Sequence, residues 1–341
     1  MIDLTPHAKA IVEMDKMLDA WIASGGIDKG AKAALEEFMV TDAYYAIPYQ
    51  HRNLYFVTAS KLRSYEFLPE EAYKRYIQCV DLPWADHDFF RVGRAFDYRI
   101  TEGEEKYAKL YVAVDRRENG LEEKLAAYQA DMEELNAKEA KTKTDMNKMV
   151  KLAQQMQDLE NLKGKSQLTQ SQWKSVENMT TEYRLHKTFP QTPKKLTLFW
   201  LAFGKIPCKA ELDHYDADQN RIWDIKTTGS LTQFDPQSYL LQMAFYFAGI
   251  QEELMLRPEA ALAVVDKGGD FSRGCPFGFK VEDLLAAQDR VNRLTNQWKE
   301  SMETNTWPNR GANDRQALRV YWDSDYYPLL EHSRPTEIIY V

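Results

Sequence analysis

The feature that most constrains the fold is an acidic stretch, residues 210–228, with the sequence AELDHYDADQNRIWDIKTT. β-Forming residues flank a polar turn centred between Asp218 and Gln219, and this pattern predicts a β-hairpin. With an even loop, residues whose numbers sum to 437 lie opposite each other, so Asp213 faces Asp224. Like charges directly opposed destabilise a sheet, so this hairpin is expected to gather charge for a purpose other than folding.

The same register places Glu211 opposite Lys226, where the glutamate is expected to tether the lysine when no substrate is bound. An odd loop would shift the pairing by one residue, so the arrangement depends on loop length. Asp216 and Asp218 are expected to serve the turn. Asp213, Asp224 and Lys226 on one patch suit a hard divalent cation, which takes carboxylate, water and phosphate oxygens. The alternative is an exposed polar hairpin face with an ordinary ion pair.

Bulk composition excludes several classes of protein. The chain has 341 residues, of which 44% are hydrophobic, so a sizeable core is expected and disorder is not. A net charge of −8 argues against a uniformly basic nucleic-acid-binding surface but leaves room for a local basic groove. Cys79, Cys208 and Cys275 are widely separated and form no Cys-x-x-Cys pair, so we expect reduced thiols and no zinc ribbon.

The first residues, MIDLTPHAKAIVEMDKMLDAW, contain scattered charges and no continuous apolar core of a signal peptide. No later segment approaches the roughly 20 apolar residues that span a bilayer. The sequence therefore predicts a cytoplasmic protein without a membrane partner.

Periodicity divides the chain into four predicted parts. Residues 1–50 form an N-terminal helical segment, 51–118 the first part of the core, 119–187 a helical insertion, and 188–341 the rest of the core with the site. From residue 195 the elements follow the order β-β-β-α-β-α, which is typical of a mixed α/β (α+β) fold. We expect a central mixed β-sheet flanked by helices.

The insertion is marked by a change to polar, helix-forming sequence. Apolar residues recur in two runs at helical spacing, namely Leu121, Leu125, Tyr128, Met132 and Leu135, then Met146, Met149, Leu152, Met156 and Leu159. A polar gap separates the runs, so the segment is either one long helix or a helical hairpin. It is expected to be a solvated arm docked through its apolar stripe, or else an arm for oligomerisation or for clamping DNA.

A second helical pattern follows the hairpin, in which Gln242 and Tyr246 lie one turn apart on the same helix face. Together with the hairpin, this pattern resembles the PD-(D/E)xK nuclease superfamily and is most similar to its RecE-like and RecB-like exonuclease branch. Asp213 takes the place of the first strand aspartate, and Asp224-Ile225-Lys226 that of the (D/E)xK triplet. Gln242 and Tyr246 match the Q-x-x-x-Y element of that branch. The resemblance implies a restriction-endonuclease-like core.

The resemblance covers about 200 residues and extends upstream of the hairpin. The segment TASKLRSYEFLPEEAYKRYIQ is similar to the helical lead-in of the branch, and VGRAFDYRI is similar to its G-x-x-x-H element. Asp97 stands where relatives carry a metal-ligating histidine, and an aspartate also suits Mg²⁺. A related iron–sulfur nuclease needs four cysteines around this core, whereas this chain has three.

The resemblance implies a metal-dependent exonuclease that hydrolyses phosphodiester bonds of linear duplex DNA, with Mg²⁺ or Mn²⁺ as cofactor. The implied metal ligands are Asp97, Asp213, Asp224 and the backbone carbonyl of Ile225. Lys226 is expected to assist the nucleophile, and Gln242 and Tyr246 to position substrate.

By the same resemblance we expect 5′-to-3′ resection in phage-type recombination, in a bacterium or phage-infected host. A single-strand annealing protein is the expected partner, single-stranded DNA the expected product, and a homo-oligomeric ring the expected assembly. Two alternatives are an inert DNA-binding or scaffold protein on the nuclease fold, and a nuclease of the same chemistry in defence or DNA processing.

Overall fold

The computed structural model describes residues 8–26, 28–39, 41, 43–44, 56–78, 88–115, 120–138, 140–268, 272–308 and 339–340. The chain divides into two compact units, which are described separately. The sheet unit comprises Met1–Asp86, Tyr183–Asp266 and Arg273–Val341. The helical unit comprises His87–Glu182 and Lys267–Ser272. The predicted insertion, 119–187, begins later in the chain than the helical unit does, because the helices just before it also belong to that unit.

Helices form where the sequence offers an apolar stripe and a suitable start. In chain order they are α1 Ala8–Ala23, α2 Lys29–Phe38, α3 Ala59–Phe67, α4 Pro69–Tyr76, α5 Asp88–Thr101, α6 Glu104–Leu110, α7 Leu121–Asn136, α8 Lys143–Leu162, α9 Gln170–Leu185, α10 Leu240–Leu254 and α11 Val281–Thr304. Thr58 caps α3 by accepting a hydrogen bond from the Lys61 N–H. Pro69 occupies the first turn of α4, where its missing N–H costs nothing.

The strands confirm the predicted mixed sheet. They are β1 Tyr111–Val114, β2 Ser166–Thr169, β3 Leu196–Ala202, β4 Ile206–Leu212, β5 His214–Asp216, β6 Arg221–Thr228, β7 Glu259–Asp266, β8 Gly274–Phe279 and β9 Ile339–Tyr340. In the described part of the sheet unit, β5-β6-β7-β8-β9 form one sheet, in which β6 and β7 are parallel and β5–β6 and β7–β8 antiparallel. β3 and β4 form a separate antiparallel pair.

The core of the sheet unit lies between its strands and α10. This helix is apolar nearly all round, and its residues from Met243 to Ile250 are all buried. Gly249 permits a close approach, because a Cβ there would lie 2.8 Å from the indole of Trp200 on β3. The helix is therefore held tightly, and a polar face at its start is positioned as rigidly as the core itself.

The N-terminal helices extend this unit. α1 and α2 bury Met14, Trp21 and Leu35 in one cluster with Phe199 and Leu201 of β3. The segment before α3 is described from residue 56 onward. There Val57 bridges Cys208 of β4 in parallel, and this contact links the segment before α3 to the β3–β4 pair.

The helical unit resolves one open alternative and corrects one expectation. α7 and α8 are two helices separated at the polar gap, so the segment is a helical hairpin. Thr142 and Asp145 form a capping box that starts α8. The insertion is not wholly helical, because β1 and β2 pair in parallel. Sequence patterning missed β2, since Ser-Gln-Leu-Thr is short and mostly polar.

Two remaining expectations concern thiols and membranes. Cys208 and Cys275 are free and buried, and burial raises the pKa of the Cys208 thiol to about 12. Cys79 lies outside the described residues. Among the helices that the structure describes, none has the length and apolar character needed to cross a membrane.

Candidate active site

The β5–β6 hairpin has the predicted register. Its three pairs run from His214–Trp223 to Asp216–Arg221, and the residue numbers of each pair sum to 437. Asp213 is the bend residue just before this ladder, where the chain leaves β4 and enters β5, the partner strand of β6. The half-buried Asp213 accepts a 2.7 Å hydrogen bond from the Ile225 N–H through Oδ2. The carboxylate is thereby fixed against the middle of β6.

β6 presents Asp224 and Lys226 on the same face, since side chains two residues apart in a strand point the same way. Asp224 is buried, and its Oδ2 lies 2.5 Å from the Lys226 Nζ. Burial acts to lower the pKa of the Lys226 ammonium, but the carboxylates of Asp224 and Asp213 outweigh it and raise the pKa above its usual range. The lysine therefore remains a cation beside both acids.

The first turns of α10 complete the network. The Gln242 side-chain amide donates to Asp224 Oδ1 at 2.9 Å and to the Tyr246 hydroxyl oxygen at 2.8 Å. Burial, followed by the carboxylate of Asp224, raises the pKa of the Tyr246 phenol, so its hydroxyl keeps its proton. The predicted Q-x-x-x-Y pair thus touches the predicted strand carboxylate through one amide group.

The predicted pairing of Glu211 with Lys226 is wrong. Glu211 lies opposite Thr197 in the β3–β4 ladder, and its carboxylate lies 3.9 Å from the Lys195 Nζ. The register itself is right, but the ladder ends at His214, because the chain bends at Asp213 and changes partner strand. Lys226 is held by Asp224 instead.

Asp97 lies on α5 in the helical unit, where it is half-buried. Its role as a third metal ligand stays a prediction, and so does that of the Ile225 carbonyl. The turn residue Asp216 behaves as expected, because its Oδ1 accepts the N–H groups of Asp218 and Gln219. Asp218 is exposed in the same turn.

Sequence reasoning missed two residues beside the site. Tyr239 ends the 3₁₀ turn that leads into α10, and its ring centroid lies 5.6 Å from the Lys226 Nζ. Arg63 of α3 lies against the same ring, with its guanidinium carbon 5.5 Å from the centroid. The one available signal was the position of Tyr239 three residues before Gln242. No local pattern links Arg63 to residues so distant in the chain.

The donor set fits a hard divalent cation. Asp213 and Asp224 supply carboxylate oxygens next to a cationic lysine, and Mg²⁺ is typically held by one or two carboxylates, waters and substrate phosphate oxygens. Within the described residues of the sheet unit, no three His, Cys, Asp or Glu side chains gather as a metal cage. A cation bound by Asp213 and Asp224 would therefore keep positions for water and substrate.

The arrangement of an aspartate, an Asp-x-Lys strand and a Gln-x-x-x-Tyr helix on a mixed sheet defines a PD-(D/E)xK-type domain. A scan of family models agrees. Residues 84–318 match the model of the PDDEXK-like domain of unknown function DUF3799. The chain belongs to this family, and the resemblance to the PD-(D/E)xK superfamily is confirmed.

The other comparisons add little. A search of curated proteins found no match. Among solved structures, the chain is similar to a crystal structure from Eubacterium rectale described as a "Putative exonuclease", with 14% identity and a TM-score of 0.44. The match covers 86% of this chain and 98% of the other.

Proposed function

We propose that this protein is a divalent-metal-dependent deoxyribonuclease that hydrolyses phosphodiester bonds of linear duplex DNA. The observation that carries the proposal is the contact set around Asp224, which joins Lys226, Gln242 and, through Gln242, Tyr246. Asp213 lies beside it, fixed by the Ile225 N–H. A structural ion pair needs none of these additional partners.

Each residue has a distinct proposed role. Asp213 and Asp224 hold Mg²⁺ or Mn²⁺, which when bound supplies Lewis-acid stabilisation of the phosphate and lowers the pKa of a water. Lys226 orients the attacking water and offsets negative charge that develops on the phosphate. Gln242 fixes the orientation of the Asp224 carboxylate, and the protonated Tyr246 hydroxyl fixes Gln242 in turn.

The test is digestion of end-labelled linear duplex DNA with Mg²⁺, with Mn²⁺ and with EDTA. We expect cleavage with a metal and none with EDTA. Asp224→Asn keeps the shape of the side chain and one acceptor oxygen but removes the negative charge, and we expect it to reduce cleavage at least about 100-fold. The proposal is wrong if the wild type is inactive with both metals, or if Asp224→Asn cleaves DNA as fast as the wild type does.

We further propose exonuclease action in 5′-to-3′ direction, serving phage-type recombination with an annealing partner. Covalently closed circular DNA distinguishes an exonuclease from an endonuclease, because an exonuclease needs a DNA end and leaves the circle intact. Labels on either end of the linear duplex report polarity. Cleavage of the circle would favour a nuclease in defence or DNA processing instead.

A further inference from the structure

Arg63 is an exposed cation next to the site, and the proposed mechanism gives it no role. It lies on α3, and its guanidinium carbon is 5.5 Å from the centroid of the Tyr239 ring. The Lys226 Nζ lies 5.6 Å from the same centroid. Two cations therefore lie against the Tyr239 ring. Lys226 belongs to the Asp-x-Lys triplet, and Arg63 does not.

The two cations differ in their partners. Lys226 is paired with the Asp224 carboxylate. Arg63 forms no ion pair and no hydrogen bond with any residue that the structure describes, and its contact there is the Tyr239 ring. Its positive charge is therefore available to a ligand. An Arg guanidinium stacked on a ring offers N–H groups in a planar fork that matches phosphate oxygens.

The placement of Arg63 is fixed on both sides. α3 is anchored by buried polar contacts: Glu66 accepts two hydrogen bonds from Arg290, and the Lys61 Nζ donates to the Phe56 carbonyl at 2.8 Å. The Tyr239 ring stacks on Phe234, with centroids 5.4 Å apart and planes at 20°. Both the helix that carries Arg63 and the ring against which it lies are therefore held in place.

We propose that Arg63, supported by Tyr239, binds a backbone phosphate of the DNA strand next to the phosphate being cleaved. Each strand carries a phosphate about every 3.4 Å along the duplex axis, so a strand with one phosphate at Lys226 places others close to Arg63. The inference rests on the proposed function, since it adds a substrate contact to the same site. Arg63 would help to bind the DNA strand and to align it in the site, and Lys226 would act in the cleavage step.

A matched control is available in the same unit. Arg257 is exposed, and it lies near the Arg221 end of β6, because its carbonyl accepts a hydrogen bond from the Asn220 side chain. Arg221 and Lys226 are five residues apart in the strand, which corresponds to roughly 16 Å at about 3.3 Å per residue. Arg257→Gln removes the same charge as Arg63→Gln, but away from the site.

The test measures binding of a fluorescent linear duplex in EDTA, over a series of NaCl concentrations, with melting curves of every variant. We expect Arg63→Gln to weaken binding about tenfold and to reduce the salt slope by about 0.9, as for the loss of one phosphate contact. Arg63→Lys should retain part of the affinity and part of the salt slope. Tyr239→Phe should bind as the wild type does, and Arg257→Gln should change neither the affinity nor the salt slope. In cleavage assays, Arg63→Gln should raise KM and leave kcat nearly unchanged.

The outcomes separate this inference from the proposed function. Equal affinity and equal salt slope for Arg63→Gln and Arg257→Gln overturn the contact, whether or not the wild type cleaves DNA. A wild type that shows no binding at low salt overturns it as well. A wild type that binds through Arg63 but cleaves with neither Mg²⁺ nor Mn²⁺ supports the contact and refutes the nuclease activity.

Discussion

Each unit of the protein contains a short Lys–Asp ion pair, and the two pairs have opposite surroundings. In the sheet unit, Lys226 and Asp224 are 2.5 Å apart, with side chains 22% and 3% exposed. In the helical unit, Lys138 and Asp145 are 2.7 Å apart, with side chains 45% and 15% exposed. The distances are nearly the same, so distance alone does not distinguish a site from a surface contact.

The partners of each pair explain the difference. Asp145 also accepts hydrogen bonds from the Thr142 N–H and hydroxyl, so the more exposed pair, Lys138–Asp145, belongs to a helix cap. Asp224 also accepts from Gln242, and a second carboxylate, Asp213, lies close enough to raise the pKa of Lys226. Concentrating two carboxylates in a partly buried site costs stability, and such costs are typical of functional sites.

The largest expected effect comes from Lys226→Met. We expect cleavage to fall at least about 100-fold, because a charge that stabilises the transition state is lost. Lys138→Met removes the same group from the exposed pair and should leave cleavage unchanged. The measurement is the initial rate on end-labelled duplex. Equal losses in the two variants would mean that the buried pair has no catalytic role.

Loss of Lys226 also leaves a buried carboxylate without its cation, which can destabilise the fold. The double variant Asp224→Asn/Lys226→Met removes both charges and serves as the folding control. It should melt at a higher temperature than Lys226→Met and remain inactive. A double variant that regains activity would contradict the roles proposed for both residues.

Local rules predicted how most residues of the candidate site are arranged. The hairpin register follows from the turn between Asp218 and Gln219, and the Gln242–Tyr246 pairing follows from helical spacing. The same rules failed at Glu211, because the bend at Asp213 reflects pairing of β4 with β3, a tertiary contact. Arg63 was not predicted for a related reason, because the packing of α3 brings it to Tyr239.

The mixed sheet was predictable from its apolar strands and intervening helices. β2 was not, because its four residues have no alternating pattern and become a strand only by pairing with β1, which precedes α7 and α8 in the chain. The apolar stripes predicted α7 and α8 as helices but left the bend open. Sequence periodicity thus defines elements with a continuous apolar face and misses those that depend on one distant partner.

Lys267 offers a smaller effect that sharpens the comparison, since its pKa shifts in the opposite direction to that of Lys226. Burial lowers the pKa of Lys267 to about 7. Below pH 7 the lysine is charged in both folded and unfolded states, and its burial then costs stability. The cost shrinks as pH rises from 7 towards 10.5, above which both states are neutral.

We therefore expect Lys267→Met to stabilise the protein by about 2 kcal/mol at pH 7, after a discount for partial exposure. The gain should decrease at pH 10. Urea unfolding at both pH values measures it, with Lys151→Met, an exposed lysine of the same unit, as the control. A gain that is the same at both pH values would rule out titration of Lys267 as its cause.

Tyr246→Phe tests the part of the buried network farthest from the proposed chemistry. The change removes the hydroxyl that accepts from Gln242 but keeps the ring and the Gln242–Asp224 bond. Losing one hydrogen bond of about 1 kcal/mol should reduce kcat about fivefold and leave KM unchanged. A variant with a raised KM and normal kcat would place Tyr246 in substrate binding instead.

The smallest expected effect comes from changing the capping box of Thr142 and Asp145 at the start of α8. Thr142 accepts the Asp145 N–H at 3.1 Å, and Asp145 in return accepts the Thr142 N–H at 3.0 Å. Thr142→Ala breaks this capping box and should cost roughly 1 kcal/mol of stability or less, whereas Thr142→Ser should restore it. Neither change should alter cleavage, because the cap holds only the start of α8. A loss of activity in Thr142→Ala at full stability would instead give the helical hairpin a part in DNA processing, as the predicted clamping arm requires.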